Sequence, residues 1–301
     1  MFRQTRTALA VMSAAIAGVV ALAGCSSSGG GTSAGGNTNT PSPSKVASVA
    51  KLVPASIAKK GSLTIAMDAT YPPDEMIASD GHTIIGFDAD LGKALAAVMG
   101  LKANLQNVTF DNIIPGIQDG KYDMGLSSFT DTKEREKVVD FVNYFKAGEA
   151  FYVKAGSGKT FTDLASLCGA TVAVENGTTE QADAQAQAKK CPAGKKLTVL
   201  SFSNQNETNL AVSSGRADVG FADSQVAGYI VQQSNGQFEL TGHPFAVAPY
   251  GIALPKGNGM AKAVEAAVQE LISNGTYQKL LKKWGVQSGQ IPKPGINGAT
   301  S

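Results

Sequence analysis

Two distant stretches of the sequence repeat the same order of residue types. GKYDMGLSS (120–128) and GRADVGFAD (215–223) each begin with a glycine typical of a helix end, continue with a basic residue and an aspartate, and place a second glycine in a strand-like segment. A looser pair, LTIAMDATY (63–71) and ATVAVENGTT (170–179), occurs in the same order, and each member leads from a strand-like segment into a polar turn. Two matched pairs in one order predict a chain built from two similar lobes.

Short apolar segments rich in β-branched residues alternate with helical patterns in both parts of the chain. LTIAM (63–67) is followed by ADLGKALAAVMG (89–100), and LTVLS (197–201) is followed by NETNLAVSSG (206–215). Such alternation is typical of α/β folds with mainly parallel sheets. Ligands bind beyond the carboxyl ends of the strands in open α/β sheets, so the residues that follow the strands should face one another across a cleft.

The first 24 residues have the composition of an export signal. Arg3 and Arg6 precede an apolar run over residues 8–24, and Cys25 completes LAGC, which is similar to the lipobox of bacterial lipoproteins. We therefore predict a lipoprotein signal peptide over residues 1–24 and a lipid anchor on Cys25. A signal-anchor helix that stays in place is the alternative.

The segment after the signal is SSSGGGTSAGGNTNTPSPS (26–44), which has no charge and no large apolar side chain. Residues 25–45 should therefore form a flexible, lipid-anchored tether. The folded part is expected to be extracytoplasmic, on the outer face of the cell membrane or in the periplasm. Cleavage removes two arginines and no acid from a chain of formal charge +2, so the mature protein is neutral and offers no argument for nucleic-acid binding.

Besides the predicted lipid anchor Cys25, the chain has two cysteines, Cys168 and Cys191. In an oxidising compartment a disulfide is favoured over two free thiols. An antiparallel arrangement of the strand-like ATVAV (170–174) and the helical segment before Cys191 would bring the two cysteines together. We predict a structural disulfide that contributes roughly 3 kcal/mol by constraining the unfolded chain.

No motif for a cofactor or a metal is evident. GSGKT (156–160) lacks the first glycine of a nucleotide-binding loop, because Val153 stands at that position. The only histidines are His82 and His243, and no paired Cys or His spacing suggests a metal site. We therefore predict no cofactor, no metal and no catalytic residues.

The segment SSFTDTKERE (127–136) allows two interpretations. Asp131 and Glu134 have the spacing of a capping box, and the charges that follow could form the solvated face of a helix. Alternatively, the hydroxyls, the N–H groups of a helix start and the planar fork of Arg135 could bind a carboxylate.

Six motifs carry a resemblance to a known family. In sequence order they are GFDADLGKAL (86–95), FDNIIPGIQDGKYDM (110–124), SSFTDTKER (127–135), VDFVNYF (139–145), NGTT (176–179) and GRADVGFAD (215–223). Over about residues 60–285 they resemble the extracytoplasmic solute-binding proteins of polar amino-acid ABC importers, bacterial solute-binding protein family 3. The resemblance implies a monomeric, non-enzymatic protein that closes around a free amino acid and delivers it to an ABC transporter permease.

The resemblance also implies a periplasmic-binding-protein-like (type II) fold, with two α/β lobes and two hinge crossings between them. We place the crossings near Lys146 to Ala150 and near Ala246 to Gly251. The predicted divisions of the folded part are lobe 1 (46–147 plus 250–290), lobe 2 (148–249) and a C-terminal tail (291–301).

Carried over by position, the resemblance implies a set of ligand-binding residues. Arg135 matches the guanidinium that grips the ligand α-carboxylate, and Thr130 and Thr179 match positions that give N–H groups and hydroxyls to the same carboxylate. Asp223, helped by Ser128, matches the acid that pairs with the α-ammonium. A zwitterion in a closed cleft needs both charges matched, because an unpaired buried charge costs several kcal/mol. We therefore interpret residues 127–136 as an anion site that includes the helix cap.

The residues expected around the ligand side chain are Tyr71 and Phe110, which match aromatic walls, and Asp68, which matches a polar contact at the far end. Where the family commonly has aromatic-Pro-Phe-Glu, this chain has Tyr71, two prolines, Asp74 and Glu75, which adds an acid near the expected pocket mouth. Acceptors without donors favour arginine, lysine, histidine or glutamine over glutamate or aspartate.

Other interpretations remain open at this point. Asp223 alone could cap the helix that follows it, Phe110 could belong to the core, and Asp68 could cap a turn. A periplasmic cyclohexadienyl-dehydratase-like enzyme has the same fold, and Asp223 or Glu175 could then serve as a general acid. A ligand-binding sensory lipoprotein is a further alternative.

Overall fold

Strands and helices alternate along the chain, as the sequence pattern predicts, in a computed structural model that describes residues 43–300. The strands are β1 (Ser62–Met67), β2 (Thr70–Tyr71), β3 (Glu75–Ile77), β4 (Ile84–Ile85), β5 (Lys102–Asn107), β6 (Met124–Gly125), β7 (Val139–Lys154), β8 (Thr171–Glu175), β9 (Thr198–Phe202), β10 (Val219–Asp223) and β11 (Phe238–Pro255). The helices are α1 (Ala47–Ala50), α2 (Ala55–Lys60), α3 (Phe87–Met99), α4 (Ile113–Gln118), α5 (Lys133–Glu136), α6 (Thr179–Ala188), α7 (Gln205–Ser213), α8 (Ser224–Gln233), α9 (Met260–Ser273) and α10 (Thr276–Trp284). The predicted signal peptide, Cys25 and all but the last three residues of the predicted tether lie outside the described residues. Between residues 43 and 300, no helix combines the length and the apolar composition needed to cross a membrane.

The main sheet has eight strands in the order β5-β1-β6-β11-β7-β10-β8-β9. β1 pairs in parallel with β5 and β6, and β8 pairs in parallel with β9 and β10. Each end of the sheet is therefore a parallel triple whose middle strand comes first in the sequence. The repeated motifs occupy equivalent strands, β1 with β8 and β6 with β10. This confirms the predicted two-lobed α/β fold, with β1, β5 and β6 in lobe 1 and β8, β9 and β10 in lobe 2.

Two long antiparallel strands, β7 and β11, join the lobes. β7 has 16 residues and pairs with β10 of lobe 2, whereas β11 has 18 residues and pairs with β6 of lobe 1. The ladder between them is irregular between Thr241 and Ala248 and again at Tyr250, and Ala246 has a φ of 50°. Irregular pairing frees the strands to bend. The expected crossing near Ala246 lies in this stretch, while the lobe boundaries themselves stay a prediction.

Both lobes bury apolar side chains between their helices and the sheet. α3, α9 and α10 cover one face of lobe 1 and α4 covers the other, whereas α7 and α8 lie opposite α6 in lobe 2. In α9, buried side chains recur every three or four residues, at Met260, Val264, Ala267 and Leu271. This spacing puts them on one side of the helix. Burial of apolar surface, at about 25 cal/mol per Å², is the main force that holds such a helix in place.

The disulfide predicted between Cys168 and Cys191 is confirmed. The two Cα atoms are 5.5 Å apart. Cys168 follows a short 3-10 helix (Leu164–Leu167) and Cys191 lies just beyond α6, so the bond ties α6 to the segment before β8.

Candidate functional site

A cavity lies between the lobes, where strands of both parallel triples end. All eight residues that the sequence predicts for ligand binding line it: Asp68, Tyr71, Phe110, Ser128, Thr130, Arg135, Thr179 and Asp223. The lining also includes Ser127, Glu175, Thr178 and Glu180. The structure thus brings the predicted set together, and their contact with a ligand stays a prediction.

Arg135 provides the positive charge of the cavity. Its Nη1 donates to the carbonyl oxygen of Thr130 at 2.7 Å, and its Nη2 donates across the cleft to the carbonyl oxygen of Gly177 at 2.8 Å. The guanidinium carbon lies 5.5 Å from the ring centroids of both Phe110 and Phe129. Two carbonyl oxygens and two aromatic rings therefore hold a planar fork that suits a carboxylate.

The helix that carries Arg135 begins one residue later than the capping-box spacing suggests. The side chain of Thr132 accepts a hydrogen bond from the backbone N–H of Arg135 at 3.2 Å and is the N-cap of α5. Asp131 does not cap the helix, because its buried carboxylate instead accepts hydrogen bonds from Asn143 and Gly298. The predicted capping box of Asp131 and Glu134 is therefore wrong.

Asp223 lies on the other side of the cavity, at the end of β10. It stands at the N-cap position of α8, but its side chain makes no capping hydrogen bond. Its Oδ2 instead accepts a hydrogen bond from the Tyr71 hydroxyl at 2.8 Å, and its backbone N–H donates to the same hydroxyl at 3.1 Å. Burial and the charge of Glu180 raise the pKa of Asp223 well above its usual range. A cation beside Asp223 would favour its ionised form.

Glu180, which is not among the residues predicted from the sequence, lies in the first turn of α6. It is buried, and burial raises its pKa to about 7. Acidic residues are common in the first turn of a helix because they interact favourably with the helix dipole, so Glu180 did not stand out as a binding residue. The available signal was its position directly after NGTT, since the N-cap Thr178 and the first helical residue Thr179 both line the cavity.

Asp68 and Glu175 are the acidic residues that follow β1 and end β8. The carboxylate of Asp68 accepts hydrogen bonds from the Thr70 hydroxyl at 2.7 Å and from the Phe110 N–H at 3.0 Å. The carboxyl groups of Glu175 and Asp68 form a hydrogen bond with each other. Burial, followed by the charge of Asp68, raises the pKa of Glu175 well above its usual range. Asp68 therefore stabilises a turn, lines the cavity and pairs with the buried Glu175.

Asp74 and Glu75 do not lie at the mouth of the cavity, contrary to expectation. Both are buried in lobe 1, where Ser128 Oγ donates to Asp74 at 2.9 Å and Ser127 Oγ donates to Glu75 at 2.7 Å. The two acids thus lie behind serines that line the cavity. Ser128 has a φ of 50°, a left-handed conformation that non-glycine residues rarely adopt. Its backbone N–H donates to a third buried acid, Asp88, at 3.0 Å.

The lobes are in direct contact around the cavity. Gln225 of lobe 2 donates to Asp74 of lobe 1 at 2.8 Å, and the hydroxyls of Thr130 and Thr179 are 3.4 Å apart. With the bonds Tyr71 to Asp223 and Arg135 to Gly177, these contacts define a closed arrangement.

Comparisons with known proteins agree with this architecture. Residues 63–287 match the family model of the bacterial extracellular solute-binding proteins, family 3. The arginine-binding protein ArgT of Corynebacterium glutamicum is 36% identical over 258 residues, which are 85% of this chain and 84% of that protein. A solved structure of an ancestral arginine-binding protein bound to arginine has a TM-score of 0.70 and 36% identity, and the match covers 74% of this chain and 98% of that chain. An ancestral amino acid-binding protein described as a precursor of cyclohexadienyl dehydratase has a TM-score of 0.69 and 34% identity, over 76% of this chain and 97% of its own.

Proposed function

This chain belongs to family 3 of the bacterial extracellular solute-binding proteins, and we propose that it binds an L-amino acid with a cationic side chain and delivers it to an ABC permease. The relative from Corynebacterium glutamicum is an arginine-binding protein, and the ancestral structure holds arginine. The match to both extends over most of this chain, so the same architecture supports the same class of ligand.

The charges of the cavity support a cationic ligand. Four carboxyl groups, those of Asp68, Glu175, Glu180 and Asp223, line the cavity with one guanidinium, that of Arg135. An amino acid that places its carboxylate on Arg135 and its ammonium on Asp223 leaves the acids at the ends of β1 and β8 for its side chain. A cation there matches their charge, whereas a second carboxylate would be repelled.

The observation that carries this proposal is the pair of buried carboxyl groups, Asp68 and Glu175, that line the cavity side by side. A cationic group beside this pair favours the ionised carboxylates, which then accept its hydrogen bonds. The guanidinium of arginine has five N–H donors, which is enough to serve both carboxylates.

Isothermal titration calorimetry with arginine, lysine, glutamine and glutamate tests the proposal. We expect arginine to bind most tightly and Glu175→Gln to weaken arginine by about tenfold, which corresponds to roughly 1.4 kcal/mol. The same substitution should weaken the binding of glutamine less, because its side-chain amide carries no charge. Glu239→Gln is the matched control, since Glu239 is an exposed acid of lobe 2 outside the cavity lining. Tightest binding of glutamate, or an unchanged preference in Glu175→Gln, contradicts the proposal.

We further propose that the protein does not catalyse a reaction. The dehydratase alternative has one specific point in its favour: Glu175 is a buried acid with a raised pKa in a closed cavity, which is the property of a general acid. Incubation of the protein with prephenate-type substrates separates the two functions. Turnover that is lost in Glu175→Gln favours the enzyme.

We propose that the protein acts at the outer face of the cell membrane, anchored by a lipid on Cys25. The LAGC motif and the uncharged segment after it support this location. Cys25→Ser should release the protein from the membrane fraction, whereas retention in that fraction indicates another anchor. Loss of labelled arginine uptake on deletion of the protein would distinguish transport from sensing.

A further inference from the structure

The C-terminal tail packs along the beginning of β7 in lobe 1. The backbone N–H of Asn143 donates to the carbonyl oxygen of Gly295 at 2.8 Å, and the N–H of Asn297 donates to the carbonyl oxygen of Phe141 at 3.0 Å. An isolated antiparallel bridge joins Val142 and Ile296. The match to the family model ends at residue 287, before the tail begins.

The last residues of the tail reach the segment that carries Arg135. The N–H of Gly298 donates to Asp131 Oδ2 at 2.9 Å, and the N–H of Ala299 donates to Glu136 Oε1 at 3.0 Å. Asp131 and Glu136 stand on either side of Arg135 in the sequence. The tail therefore contacts both ends of the short segment between them.

The contact at Asp131 is buried and close. Asp131 is fully buried, and its Oδ2 also accepts a hydrogen bond from Asn143 Nδ2 at 2.8 Å. A Cβ atom added to Gly298 would lie 2.3 Å from Asn143 Oδ1, so the backbone approaches more closely than other residues allow. Thr130, the neighbour of Asp131, gives its carbonyl oxygen to the guanidinium of Arg135. A continuous path of hydrogen bonds and neighbouring residues therefore leads from the tail through Asp131 and Thr130 to Arg135.

We infer that tail residues 295–299 position the segment Thr130–Glu136 so that Arg135 and Thr130 are ready to receive the carboxylate of a ligand. Helix α5 has only four residues, and so short a helix is not stable alone. It depends on contacts from outside, and the tail provides one at Glu136 in the helix and one at Asp131 just before it. A binding segment held in its bound geometry loses less entropy when the ligand arrives, which raises affinity. The inference rests on the proposed function for its binding readout.

Two shortened chains test the inference. A chain that ends after Ile296 loses the donors of Asn297, Gly298 and Ala299, whereas a chain that ends after Ala299 keeps them and serves as the matched control. We expect arginine affinity to fall by at least about fivefold in the first chain, because hydrogen bonds to charged groups are among the stronger ones. The chain that ends after Ala299 should bind arginine with an affinity within about twofold of that of the full chain. Ala299→Pro removes a single donor and serves as a milder variant if the shorter chain does not fold.

Hydrogen exchange on the ligand-free proteins gives a second readout that needs no ligand. Amides of residues 131–138 should exchange faster in the chain that ends after Ile296, while amides of α6 in lobe 2 should be unchanged. A lower unfolding temperature with unchanged affinity, measured far below that temperature, overturns the inference, because the tail would then only stabilise lobe 1. If the full chain binds none of the amino acids, the proposed function fails. Unchanged exchange at residues 131–138 then still overturns the positioning role, and faster exchange supports it.

Discussion

Replacement of Arg135 by alanine is the sharpest test of the binding site. Among residues 43–300, Arg135 is the only cationic residue that lines the cavity, and its guanidinium bridges the lobes between Thr130 and Gly177. Alanine removes the partner expected for the ligand carboxylate. The charge of Arg135 would then no longer offset the acidic groups that line the same space, such as Glu180.

The expected loss follows from the type of contact. Truncation of one partner of a buried charged pair costs about 2 to 5 kcal/mol, which is roughly 30-fold to several thousand-fold in affinity at 1.4 kcal/mol per factor of ten. Calorimetry with arginine measures this loss directly. The affinity of Arg135→Lys for arginine should lie between that of the unaltered protein and that of Arg135→Ala. Lysine keeps the charge but cannot bind a carboxylate through two parallel hydrogen bonds.

The control is Arg216→Ala. Arg216 is an exposed arginine of lobe 2 whose guanidinium carbon lies 5.2 Å from the ring centroid of Phe202, outside the cavity lining. Its removal should leave affinity unchanged, and thermal unfolding should show that both variants are folded. If Arg135→Ala binds arginine within threefold of the unaltered protein, the assignment of the carboxylate site is refuted.

Three further predictions follow from the closed cavity and its acids. Arginine should reduce the radius of gyration in small-angle scattering, because contacts from Arg135 and Asp223 require a shut cleft; demonstrated binding with no change in radius contradicts hinge closure. The affinity for arginine should be lower at pH 5 than at pH 8. Protonation of Glu180, whose pKa is raised to about 7, removes a negative charge beside the ligand. Equal affinity at both pH values argues against this role of Glu180. Burial raises the pKa of Asp74 to about 6, so the native state binds more protons than the unfolded state, and this contribution to stability is lost as the pH rises through 6. Asp74→Asn should therefore raise the unfolding temperature at pH 8 more than at pH 5, and an equal effect at both pH values would show that ionisation of Asp74 is not the cause.

The sequence predicted the architecture because repeated motifs report equivalent strands. The pair that contains Ser128 and Asp223 lies on β6 and β10, the innermost strands of the two parallel triples. Residues at the carboxyl ends of such strands must converge, which is why Asp68, Ser128 and Asp223 meet in one cavity. Strand order and strand direction are enough to predict this convergence, and the repeated motifs and the alternation of strands with helices indicate both. Phe110 and Arg135 lie beyond these strand ends, and only the family resemblance predicted their place in the site.

Side-chain direction was harder to predict. Asp74 and Glu75 follow a turn in a short three-stranded sheet (β2-β3-β4), where no long alternation shows which face is buried. The cap of α5 was misassigned because Asp131 and Thr132 are adjacent residues of capping type, and the choice depends on Asn143 and Gly298, which are distant in the sequence. Contacts of the C-terminal tail likewise leave no periodic pattern.

The apolar cluster of lobe 1 has a consequence for the order of folding. It joins β1 and α3, from the beginning of the folded part, to α9 and α10, from its end. The clusters of lobe 2 consist, apart from Tyr71, of residues between Ala150 and Phe245. As the chain leaves a ribosome or an export channel, lobe 2 can bury its core first, although lobe 1 begins earlier. Lobe 1 cannot complete its core until α9 and α10 have been synthesised. During that interval its apolar strands stay exposed and are prone to aggregate.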